Sequence, residues 1–181
     1  MLIVRWTETD GTRCTLLFEP SDHEIDSCTT YFVELERLTP RNVRGLFVHE
    51  NADVLTACRH AGVEPAEVDY FAFDHLNTQA VRRWLGTTRP QTDISPDKPV
   101  AAAFPNAKLL AQRSELEAMA DLHPLQRPWY QPTTFVDLPP EKILPIDGSV
   151  LLGPGVALIS TPAMQRATSR WCSIPTPVSG L

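Results

Sequence analysis

The sequence predicts a mixed α/β chain, on three observations. Both ends alternate apolar and polar residues with the period of strands, the middle carries short helical periodicities, and a mostly apolar run of strand length, residues 68–73, lies between them. Residues 2–7 and 12–19 make the first pair of strands, with a turn at Asp10-Gly11. Residues 21–30 are polar and read as a loop, followed by the short apolar stretches Tyr31-Phe32-Val33 and Leu46-Phe47-Val48. Asn51 is placed to cap a helix whose inner face is Val54, Leu55 and Cys58, with Gly62 at its end. The run 68–73 is a buried strand that delivers Asp74-His75 at its C-terminal end. Thr78 is placed to cap a helix carrying Val81, Trp84 and Leu85, which Gly86 stops.

Further along, residues 87–105 form a Pro-rich loop, and Leu109-Leu110 mark another short strand. Ser114 and Glu117 have capping-box spacing and open a helix through Leu116, Met119 and Ala120. Residues 123–140 are irregular, with Trp129 and Tyr130 lying among prolines. Residues 143–146, 149–152 and 156–161 read as three short strands, turned by Asp147-Gly148 and Gly153-Pro154-Gly155.

Composition narrows the function classes. A chain of 181 residues that is 43% apolar is enough for one domain with a buried core. The net charge is -6 and the basic residues are scattered, which argues against a nucleic-acid surface. No apolar run approaches the roughly 18 residues of a membrane span, and the apolar start is too short for a signal peptide. Cys14, Cys28, Cys58 and Cys172 have no metal-ligand spacing. A soluble, cytoplasmic protein is expected.

Two segments carry a family resemblance. One is Phe73-Asp74-His75-Leu76-Asn77-Thr78-Gln79-Ala80 at the end of the buried strand; the other runs from Ile146-Asp147-Gly148 through Leu152-Gly153-Pro154-Gly155-Val156 to Thr161-Pro162. Together they resemble metallo-β-lactamase-fold hydrolases, in which a buried strand ends in His-x-His-x-Asp-His and a later hairpin ends in Thr-Pro-Gly-His. The resemblance covers residues 1–162 and implies the N-terminal half of an αββα sandwich. It also implies zinc as the cofactor of the family. Zinc needs several imidazole and carboxylate ligands around an open position, where it activates a water for hydrolysis.

This sequence departs from the pattern at the ligand positions. His75 matches the first histidine and is the remnant metal ligand. Asn77 stands at the second histidine, Gln79 at the aspartate and Ala80 at the last histidine, and these three are not expected to bind. Zinc is therefore expected to be absent or weakly held. His123, Trp129 and Tyr130 are candidates for a substrate pocket, against the simpler reading of a loop packed by its aromatics. Arg82 and Arg83 read as a solvated helix face, His60 as solvent-facing, and His49-Glu50 as a strand end.

Beyond Pro162 the resemblance predicts Gly-His, but the chain continues Ala163-Met164-Gln165. With synonymous codons chosen to suit, restoring one base after the Pro162 codon makes the same bases read Thr-Pro-Gly-His-Ala-Ala-Gly and then an apolar strand. The single codons of Met164 and Trp171 and the fixed bases of Ala163 force part of that match. Residues 163–181 are thus expected to be an out-of-frame, poorly ordered tail behind an incomplete domain, 1–162. The expected function is that of a truncated, degenerate relative of a zinc hydrolase, without activity of its own. Its open sheet edge invites self-association. One alternative is an active metal-dependent hydrolase of an ester, lactone or similar small-molecule substrate. Another is a non-enzymatic, partner-binding protein that reuses the half fold.

Overall fold

Two sheets and a layer of short helices are laid down in nearly the order the periodicities predict. A computed structural model of the chain describes residues 1–40, 52–161 and 172–173. Strands β1 (Leu2–Thr7) and β2 (Arg13–Phe18) pair antiparallel, Leu2 opposite Phe18 and Thr7 opposite Arg13. Two short helices follow, α1 (His23–Asp26) and α2 (Thr30–Leu38), and then α3 (Val54–His60). Strand β3 (Tyr70–Ala72) leads through a loop to α4 (Arg82–Leu85) and a small hairpin of β4 (Pro90–Gln91) and β5 (Ser95–Pro99). After β6 (Lys108–Gln112) and α5 (Arg113–Ala120) come β7 (Ile143–Ile146), β8 (Val150–Gly153), β9 (Val156–Leu158) and the two-residue β10 (Cys172–Ser173).

The main sheet has the order β1-β2-β3-β6-β7, parallel from β2 onward, and the second sheet has the order β10-β9-β8. Successive side chains of a strand point to opposite faces. Leu16 and Leu17 in β2 are both fully buried, so the main sheet is covered on both sides. One face carries Leu17, Phe71 and Leu109 against Val54 and Cys58 of α3, with Trp84 and Leu85 of α4 and Phe104. The other carries Val4, Trp6, Leu16, Ala72 and Leu110 against Val156 and Leu158 of the second sheet. The layers therefore run helices, sheet, sheet. Burying Phe71 alone contributes about 1.5–3 kcal/mol.

Several sequence expectations change. Residues 21–30 hold α1, and the Tyr31-Phe32-Val33 stretch is part of helix α2, not a strand. Asp53 caps α3, its carboxylate accepting the Thr56 N–H at 2.7 Å. Thr78 caps no helix: it sits in a turn at φ 62°, and α4 begins only at Arg82. The helix opened near Ser114 is present, but without a side-chain cap. The Pro-rich loop contains the β4–β5 hairpin. Strand β7 joins the main sheet, so the three late strands do not form one sheet; only β8 and β9 pair as a hairpin. Leu46 to Val48, His49-Glu50, Asn51 and most of the tail beyond Thr161 lie outside the described residues. Within that tail, Cys172 and Ser173 pair antiparallel with β9. Among the described residues no helix is long and apolar enough to cross a membrane.

The two sheets meet where Gly153 passes Trp6. A Cβ on Gly153 would stand 2.0 Å from Trp6 Nε1 and 2.6 Å from Glu8 Oε1, while the Trp6 indole donates to that same oxygen. Gly153→Ala is expected to force the sheets apart at this point and to lower stability by about 1–3 kcal/mol, the ordinary cost of overpacking. A urea midpoint equal to that of the parent chain would contradict this packing.

Candidate functional site

The loop 74–80 leaves the C-terminal end of β3, in the middle of the main sheet, and descends to α4. Its backbone cannot join the sheet, and buried amides need partners. Three carboxylates from three different elements supply them. Glu19, just past β2, accepts the Asp74 N–H at 2.6 Å. Glu115 in α5 accepts the Leu76 N–H at 2.7 Å. Asp26 in α1 accepts the Ala80 N–H at 2.7 Å.

The loop is also held from its other side. The Thr78 N–H donates to the Trp129 carbonyl at 2.8 Å, Asn77 bridges to Tyr130, and Thr134 Oγ1 donates to the Gln79 carbonyl at 2.6 Å. A threonine at positive φ is an uncommon, strained backbone, tolerated where surrounding contacts over-determine it.

Burial dominates the electrostatics of this region. It pushes the Asp26 carboxyl up to about 8, with Asp22 and Glu19 adding repulsion and the Ala80 N–H opposing the rise. It pushes Glu115 up to about 7 and Glu19 up to about 7, Asp74 repelling both. Asp22 is raised too, chiefly by burial and in spite of Arg83, whose Nε lies 3.2 Å away.

The predicted ligand positions are brought together in this loop but serve other ends. His75 Nδ1 lies 3.2 Å from Asp74 Oδ1, both side chains about one-third exposed. The Gln79 amide donates to Glu19 Oε2 at 3.4 Å. Ala80 is buried, offers no ligand atom, and its N–H is spent on Asp26. Among the described residues no three His, Cys, Asp or Glu side chains are grouped to hold a metal ion. One imidazole, two neutral amides and a methyl do not fit a zinc site.

Of the candidate pocket residues, Trp129 and Tyr130 lie beside this loop. Trp129 is largely exposed and stacks on Tyr31 at 4.0 Å between ring centroids, whereas Tyr130 is buried. His123 is exposed and accepts the Leu125 N–H at 3.2 Å. A cleft of about 590 Å³ lies elsewhere, lined by Ile25, Arg82, Arg83, Gln91, Asp93 and Gln131 among others, and by none of those three.

Arg82 is not solvated. It is wholly buried; Nη1 donates to Gln91 Oε1 and Asp93 Oδ1, and Nη2 to Asp93 Oδ2 and Thr133 Oγ1, all at 2.5–2.8 Å. Arg83 is one-third exposed and pairs with Asp22 and Glu24.

No family model and no curated protein matches the chain. Solved structures do. A "probable metal-dependent hydrolase" from Staphylococcus aureus superposes with a TM-score of 0.52 at 12% identity, over 86% of this chain and 48% of its own. The chain has the metallo-β-lactamase fold. It spans about half the length of the structures it matches. A quorum-quenching N-acyl homoserine lactone lactonase matches with a TM-score of 0.48 and 18% identity, over 86% of this chain and 49% of its own. A metallo-β-lactamase from Cronobacter sakazakii gives 0.43 and 15%, over 92% and 50%.

Sequence reasoning missed the three carboxylates, Glu19, Asp26 and Glu115, that bond the amides of this loop. Glu19 had a weak signal, an acid at the end of an apolar strand. Asp26 and Glu115 had none, because nothing local distinguishes them from surface acids.

The three raised carboxyls have a consequence for stability. Folding lifts each above its unfolded value, so the folded chain holds protons that the unfolded chain has already released. Their contribution is complete below the ordinary carboxylate range and is lost as pH rises through about 7 to 8. In chelator-treated protein the urea midpoint is expected to fall from pH 5 to pH 9. Asp26→Asn, which keeps the acceptor for Ala80 and cannot ionise, should flatten that fall. A midpoint that rises over this range, or a fall of the same size in Asp26→Asn, would contradict the assignment.

Proposed function

We propose that this chain is a degenerate relative of the zinc-dependent hydrolases that share its fold, with no hydrolytic activity of its own. One observation carries the reading. At the end of β3, where the family resemblance puts four zinc ligands, Ala80 is buried with its N–H bonded to Asp26, and Gln79 is turned onto Glu19. These positions now hold the loop to α1 and to the end of β2. A zinc-activated hydroxide needs several converging ligands and an open position. With His75 alone, the first step of such a hydrolysis has no metal to run on.

The lactonase and the metallo-β-lactamase of similar fold suggest the substrates to test. Protein refolded with equimolar zinc and freed of excess metal is expected to hold well under one zinc per chain. It should hydrolyse ester, homoserine lactone and β-lactam substrates no faster than buffer. One tightly held zinc per chain, lost on His75→Ala and accompanied by turnover, would overturn the proposal in favour of an active hydrolase.

A further inference from the structure

We draw no further inference here: the strongest candidate, the cleft of about 590 Å³ between α1, α4 and the β4–β5 hairpin, carries nothing, because its arginines, Arg82 and Arg83, are already paired with Asp93, Asp22 and Glu24, and Arg82 Nε, which lacks a partner, is buried out of a ligand's reach.

Discussion

Buried backbone amides must be bonded, and loop 74–80 has no strand to bond to. That constraint organises the molecule. The loop begins in the centre of the main sheet and ends at α4, so its amides are carried into the interior, and carboxylates reach them at 74, 76 and 80. Two of those acids come from neighbouring elements, the end of β2 and α1, and the third from α5, some ninety residues further along the chain. The irregular stretch after α5 closes the other side through Trp129, Tyr130 and Thr134. Placing three carboxylates here is costly in an interior that disfavours charge, and the protein meets the cost by raising their affinity for protons.

Arg82 extends the same logic one turn further along the chain. A buried guanidinium is stable only when its donors are filled and its charge is paired. Asp93, Gln91 and Thr133 fill four of its five N–H groups, leaving Nε without a partner. This ties the β4–β5 hairpin and residue 133 to α4 at the foot of the loop. The neighbouring indole of Trp84 donates to the Pro20 carbonyl at 2.8 Å and fixes α4 to the segment after β2. The loop is thus anchored at both ends by polar contacts within an otherwise apolar layer.

Much of the scaffold was legible in the sequence, and the reason is periodicity. β1 is marked by alternation, with Val4 and Trp6 inward and Arg5 and Thr7 outward, β2 and β3 by apolar runs that a sheet buried on both faces permits, and Gly11, Gly62, Gly86, Gly148 and Gly155 mark turns because each adopts positive φ. The hairpin of β8 and β9 was legible from the same glycines. Helix α2 was not, since it buries none of its residues and its short apolar stretch, Tyr31-Phe32-Val33, has the length of a strand. Thr78 was read as a cap from its residue type, whereas its amide is claimed by the Trp129 carbonyl, a contact 51 residues away. Arg82 was read as solvated for the same reason: the partners that bury it, Gln91, Asp93 and Thr133, are brought to it by tertiary structure alone. At the site, the sequence located the loop and its altered ligand positions but not what replaced their chemistry, because a buried acid and a surface acid look alike in one dimension.

Three carboxylates hold loop 74–80 by its amides, and on this reading zinc is not needed to order it. Amide hydrogen exchange at Asp74, Leu76 and Ala80 in chelator-treated protein tests it most directly. Protection at all three amides comparable with that of β3, and unchanged by adding zinc, is the predicted result. Exchange at these amides as fast as in an exposed loop, slowing only when zinc is supplied, would contradict the account.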